Sequence, residues 1–256
     1  MTTLARHLLK LRPAALASVV ATLCGLNKRR MVSTPNGTFF INPVSNFGAA
    51  ILDGDYEPRM KMVLDTYLPS NGVFIDIGAN EGYFSVLASR CVGAQGIVVA
   101  IEPQSRLQPV IQANLDINRC HNVRLLKCLV SGKTGEMNLS LSPDVNTGAS
   151  TLFRQTKYSL PTERVESVTM ADLFVRAKVD HCDLMKVDIE GAEYDVFMEA
   201  GEVLCKGIIR HLALEFHESI LESRGLRAAV LHDFIIRSGY RVNRDLGPSV
   251  YSFCAG

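Results

Sequence analysis

Six side chains able to hold a cation, hold a hydroxyl or take a proton cluster at the ends of short apolar runs in this chain. Asp76 lies in Val73-Phe74-Ile75-Asp76-Ile77, and Glu102 follows Ile97-Val98-Val99-Ala100-Ile101. Asp188 and Glu190 close the run Asp183–Ile189, and Glu215 and His217 close the run that begins at Ile208. Such runs read as strands covered on both faces, as in a parallel sheet. Ligands of an open α/β sheet sit beyond the carboxyl ends of its strands, so all six groups would meet along one edge. A hydroxyl proton could be oriented or removed there, with Asp188 the first candidate and His217 and Glu215 next. The same carboxylates would also suit Mg²⁺, which lowers the pKa of a bound hydroxyl. The spacing assigns no metal ligand.

The elements that must position these groups start with the turn Gly78-Ala79-Asn80-Glu81-Gly82. Val73–Ile77 predicts a buried strand, Gly78 and Gly82 permit a tight turn, and Tyr83–Ala88 predicts the opening of a helix. Strand, turn and helix N-terminus together form a ligand cradle. A dinucleotide fingerprint starting at Gly78 would need glycines where Asn80 and Tyr83 stand, because a side chain at the second position blocks the pyrophosphate. S-adenosylmethionine has no phosphate and tolerates Asn80. It calls for an acid at the first strand end, Asp76, and a second acid for its ribose hydroxyls, Glu102, 24 positions after Gly78. The cofactor set is therefore Asp76, Gly78, Asn80, Gly82 and Glu102.

Phe74-Ile75-Asp76-Ile77-Gly78-Ala79-Asn80-Glu81-Gly82, Ala100-Ile101-Glu102-Pro103 and Met185–Glu193, with its Asp-Ile-Glu-Gly-Ala-Glu stretch, resemble the FkbM-type methyltransferases. The resemblance runs from about Gly48 to the C-terminus. It implies S-adenosylmethionine as cofactor, mostly O-methylation, and a Rossmann-like, seven-stranded, mostly parallel sheet with helices on both faces. It also implies that Tyr56-Glu57 lies near the cofactor mouth. The acceptor class is a small molecule or glycan. Two other readings stay open: a non-catalytic S-adenosylmethionine-binding scaffold, which would not need the later acids, and a nicotinamide-dependent oxidoreductase, opposed by Asn80 and Tyr83.

At 256 residues, 47% hydrophobic and 21% charged, the chain suits one α/β domain with a modest addition. The expected division is an N-terminal helix and hairpin over 1–47 and a methyltransferase domain over 48–256. A net charge of +1 gives no electrostatic footprint for nucleic acid. Seven cysteines without a C-x-x-C pair point to reduced thiols in a cytoplasmic setting. Ala14–Leu26 is mostly apolar between Arg6, Lys10, Arg12 and Lys28-Arg29-Arg30. It is too short for a span of roughly 20 residues, so it predicts a packed helix, with peripheral membrane contact the next reading. Nothing in residues 1–30 belongs to the cradle, and they are expected to be dispensable for cofactor binding.

Further along, Thr34–Thr38 is turn chemistry ahead of a strand at Phe39-Phe40-Ile41, and Pro58–Tyr67 predicts a helix. Single strands are expected over Val123–Val130 and Glu136–Leu141, and a polar loop over Asp144–Thr151 that covers a substrate or merely connects. Arg164–Val168 reads as extended and Met170–Ala177 as helix. Lys186, set in an apolar strand, must pair with an acid. One helix should run from Glu193 to about Leu204 and another from Arg227 to Ser238. Two closing strands are expected near Tyr240–Val242 and Val250–Phe253, adjacent and antiparallel.

Overall fold

The computed structural model describes residues 14–54, 56–153, 160–245 and 250–256. Asp55, within the Asp53–Glu57 stretch, and the basic residues Arg6, Lys10 and Arg12 lie outside them.

Helix α1 (Ala14–Leu23) leads into an antiparallel hairpin of β1 (Arg30–Thr34) and β2 (Gly37–Ile41), with Val32 opposite Phe39. Helix α2 (Asn46–Asp53) is capped by Ser45, whose Oγ accepts from the Gly48 N–H at 2.9 Å. Helix α3 (Pro58–Tyr67) has proline at its favoured start. Then follow β3 (Val73–Ile77), α4 (Tyr83–Val92), β4 (Ile97–Ile101), α5 (Gln108–Ile117) and β5 (Val123–Leu126). An insertion of β6 (Leu129–Val130), β7 (Gly135–Ser140) and β8 (Thr162–Val168) comes next. The chain returns through α6 (Met170–Ala177), β9 (Cys182–Val187), α7 (Glu193–Glu199), α8 (Gly201–Cys205), β10 (Ile209–Glu215), α9 (Glu218–Ser223) and α10 (Ala228–Arg237). Strands β11 (Tyr240–Asp245) and β12 (Val250–Ala255) close the fold.

The main sheet has seven strands in the order β11-β12-β10-β9-β3-β4-β5. Strands β10, β9, β3, β4 and β5 are mutually parallel, and β12 runs antiparallel to both β10 and β11. The chain moves outward from β3 to β5, then crosses back to β9 on the other side of β3. The order therefore reverses between β3 and β9, where open α/β sheets bind ligands. All five residues of β3 and all six of β9 are buried, which is why neither run alternates.

A hydrophobic layer lies on each face. Ile75, Ile77, Val99, Met185 and Val187 pack toward Phe197 and Ile235 on one face. Phe74, Val98 and Leu184 pack with Phe84, Leu87 and the hairpin residues Phe39 and Ile41 on the other. Burying a side chain of that size stabilises by about 1.5–3 kcal/mol, so the hairpin is tied into the sheet's own core.

Two expected elements are divided. The segment Val123–Val130 contributes β5 to the main sheet and β6 to a separate three-stranded sheet, in the order β6-β8-β7. Every residue of the segment is β-favouring or tolerant, so composition does not mark the change of partner at Lys127-Cys128. The helix expected from Glu193 to Leu204 breaks at Ala200, whose ψ of +15° precedes Gly201, a poor helix residue packed near the Phe234 ring. The seven cysteines are all unpaired. No helix among the described residues is long and apolar enough to cross a membrane.

Candidate active site

The turn after β3 is held against the tip of β4. The N–H groups of Gly78 and Ala79 both donate to the Ile101 carbonyl, at 3.1 and 3.0 Å. Gly78 adopts φ +82°, and a Cβ there would lie 1.9 Å from the Asp188 carbonyl oxygen, so only glycine fits. The N–H of Asn80 donates to Glu102 Oε2 at 3.0 Å, and the N–H of Gln104 donates to Oε1 at 3.1 Å. Glu102 is thus aimed by two backbone groups. Burial nevertheless pushes its pKa up to about 7, against the opposing pull of those two bonds.

A cavity of ≈ 280 Å³ opens beyond these strand ends, walled among others by Gly78, Asn80, Glu102, Asp188, Glu215 and His217. Six sequence-predicted groups therefore meet on one wall. Asp76 and Gly82 lie beneath it. Asp76 is fully buried and accepts from Ser85 Oγ at 2.7 Å, with its second oxygen 3.7 Å from Lys186 Nζ. The parallel register sets Asp76 directly beside Lys186, on the sheet face that carries Phe84. Gly82 opens α4 and admits the side chain of Ile111 from α5.

Lys186 finds the acidic partners expected of it. Its Nζ lies 3.5 Å from Asp188 Oδ2 and 3.3 Å from the Gly78 carbonyl. Burial alone would lower its pKa, but Asp188, Asp76, Glu57 and Glu215 together hold it above the usual lysine range.

At the ends of β9 and β10, one ligand-type atom each from Asp188, Glu215 and His217 lies within 4.8 Å of the others. His217 Nε2 stands 3.6 Å from Asp188 Oδ1 and 3.7 Å from Glu190 Oε2. Its Nδ1 is 3.5 Å from Glu193 Oε1. Glu193, wholly buried, accepts from the backbone N–H of Gly191 and of His217, each at 2.8 Å. Burial opposes a charged imidazole here, yet Glu193, Asp188 and Glu190 outweigh it and push the His217 pKa up to about 9. Glu215 moves up to about 7 through burial first and the Asp188 charge second.

Three further features belong to the site, the first two at segments that the sequence already marks. Glu57, held at φ +44° at the start of α3, lines the cavity together with Tyr56. Burial raises its pKa. The Asp144–Thr151 segment forms a 3₁₀ turn over Asp144–Ala149 and roofs the cavity. Thr147 Oγ1 donates to Asn80 Oδ1 at 2.9 Å, and Arg106 pins the turn through Asp144 and the Ser142 carbonyl. Third, Glu81 is paired bidentately by Arg29, at 2.6 and 3.1 Å, with the carboxylate fully covered. The sequence signal for that pair is an acid inside an apolar turn, which must find a cation somewhere.

Residues 76–242, more than half of the chain, match the model of the methyltransferase FkbM domain. The chain belongs to the FkbM methyltransferase family. It is 29% identical over 210 residues to the methyltransferase sdnD of Sordaria araneosa, covering 70% of this chain and 77% of that protein. It is 24% identical over 189 residues to methyltransferase 1 of Beauveria bassiana, covering 63% and 75%. The methyltransferase FkbM from Methylobacillus flagellatus superposes with a TM-score of 0.48 at 16% identity, covering 94% of this chain and 60% of that one.

FkbM methyltransferases use S-adenosylmethionine. The residues present fit it. The Glu102 carboxylate lines the cavity beside Gly78, where a Cβ would not fit, and Asp188, Glu190 and Glu215 line it as well, acids suited to meet a sulfonium charge.

Proposed function

We propose that this FkbM methyltransferase methylates a hydroxyl oxygen of a small molecule or sugar, with Asp188 orienting the hydroxyl and taking its proton. The observation that carries the reading is the convergence of Asp188, Glu215 and His217 at the tips of β9 and β10, on the wall shared with Gly78 and Glu102. Bound S-adenosylmethionine supplies an electrophilic methyl group on a sulfonium. Glu102 would hold its ribose hydroxyls, and the Gly78–Asn80 backbone would bound its path. Asp76 would act from below, fixing Ser85 at the start of α4 and balancing Lys186.

In-line displacement needs the hydroxyl placed and stripped of water before its proton leaves. Asp188 is partly exposed at the cavity, with Lys186 Nζ 3.5 Å from Oδ2 and His217 Nε2 3.6 Å from Oδ1, and Oδ1 would reach the acceptor hydroxyl. His217, charged up to about pH 9, steadies the carboxylate before transfer. The roof turn Asp144–Ala149 excludes water above them. Methyl transfer from isotope-labelled S-adenosylmethionine to panels of hydroxyl, amine, thiol and carboxyl acceptors tests the proposal. O-methyl products from hydroxyls support it. Exclusive transfer to nitrogen, sulfur or carbon, or cofactor binding without any transfer, overturns it.

A further inference from the structure

Helix α1 is packed the opposite way round from an ordinary surface helix. Its small residues Ala17 and Ala21 are buried, Ala21 against Val44, while Leu16, Val19 and Leu23 are 48%, 54% and 82% exposed. These three stand at i, i+3 and i+7, on one face of the helix. Met31 on β1 adds a fourth large apolar side chain, 65% exposed. A face of this kind asks for an apolar partner.

The charge around it names the partner's chemistry. Residues 1–52 hold six of the chain's 27 basic residues and none of its 26 acidic ones, so the remainder carries 21 basic against 26 acidic. Arg29 is spent on Glu81, but Lys28 and Arg30 are exposed just beyond α1, and Arg6, Lys10 and Arg12 precede it in sequence. A positive segment on an otherwise negative protein is directed toward an anionic surface.

We infer that α1 docks this methyltransferase onto an anionic membrane surface, lying in the interface with Leu16, Val19 and Leu23 inserted and the flanking basic residues on the lipid headgroups. A ten-residue helix does not reach across a bilayer, so the mode is in-plane. Its inner side rests on the Asp144–Ala149 turn, which roofs the cavity, so docking would set the candidate site beside the membrane.

Flotation of the full chain with phosphatidylcholine vesicles, with and without phosphatidylserine, at low and high salt, tests this. The expected result is binding to anionic vesicles, little to neutral ones, and a loss of several-fold or more on raising the salt. The Leu16→Ser/Val19→Ser/Leu23→Ser variant should lose binding at least tenfold, and Lys28→Glu/Arg30→Glu should do likewise. Both should keep wild-type S-adenosylmethionine affinity by calorimetry, which shows that they are folded. No binding by the full chain, or undiminished binding by the apolar triple variant, overturns the inference. A dimer in sedimentation that the triple variant dissolves would assign the face to a second copy and overturn it too.

Discussion

Gly78 and Asp188 stand back to back, so close that a single methyl group on Gly78 would fall 1.9 Å from the Asp188 carbonyl oxygen. The turn that bounds the candidate cavity and the strand end that carries Asp188 are therefore one packed unit. Gly78→Ala would force them apart and also impose a left-handed backbone on alanine. The expected outcome is loss of both S-adenosylmethionine binding and several kcal/mol of stability, about the cost of strain plus overpacking. Calorimetry and thermal melting measure the two effects together.

Asp188→Asn separates chemistry from binding. Cofactor affinity should stay within about twofold, while turnover should fall by about 10²–10⁴, the usual share of a general base. Wild-type turnover by this variant would remove Asp188 from the mechanism. The Asp188, Glu215 and His217 cluster also permits a metal test. Direct proton transfer predicts no change with EDTA, whereas activity lost to EDTA and restored by Mg²⁺ would assign the cluster to a cation.

Glu102→Ala should weaken S-adenosylmethionine binding by roughly 1–3 kcal/mol, through lost charge-assisted bonds to the ribose. It should also leave the N–H groups of Asn80 and Gln104 without their acceptor. Glu102→Gln keeps one acceptor oxygen and should lose less. Equal affinity in all three proteins would remove Glu102 from the cofactor site.

Stability of the cofactor-free protein should fall as pH rises from about 4.5 to 9. Glu102 and Glu215 have folded pKa values near 7, above the ordinary 4.5, so the stability they contribute is present below 4.5 and lost as pH rises through 7. His217, raised from 6.5 to about 9, contributes stability present below 6.5 and lost as pH rises through 9. Melting curves of wild type, Glu102→Gln and His217→Asn check the assignment. The first substitution should flatten the lower part of the decline and the second the upper part.

Arg29 moves the boundary of what can be removed from the N-terminus. A chain beginning at Lys28 keeps the cation that covers Glu81, and one beginning at Met31 abandons a buried carboxylate. The shorter chain, and Arg29→Ala in the full chain, should lose about 3 kcal/mol, typical of breaking a buried pair. The chain starting at Lys28 should melt with the full-length protein. Identical melting of all of them would show that Glu81 finds another partner.

Much of the candidate site's geometry is legible in the sequence, because strand ends and glycine turns are local patterns. The run Val73–Ile77, the turn at Gly78 and the acids Glu102, Asp188 and Glu215 each declare themselves within a few residues, and sheet topology brings them together. Arg29 with Glu81, 52 positions apart, has no such local signature. Neither does the change of sheet between β5 and β6, which depends on which edge is free to pair. The burial of Asp76 below the cavity follows from strand alternation, which places it on the Phe74 face. That face was decided by how the helices packed, a tertiary choice that the run itself does not encode.

The three-stranded insertion has its own small apolar cluster, Leu129, Leu139 and Val165, apart from the two layers of the main sheet. The roof over the cavity hangs from this insertion, whose Leu129, Val130 and Leu139 also line the cavity, while Gly78, Glu102, Asp188 and Glu215 stand on the seven-stranded scaffold. The roof segment is bonded to the scaffold through Arg106, Gln104 and Asn80, and again where Thr151 Oγ1 donates to the Glu190 carbonyl. A protein engineer could exchange the connection between Ser140 and Thr162, which carries the roof, to change what enters the cavity while leaving Gly78, Glu102 and Asp188 on their strands.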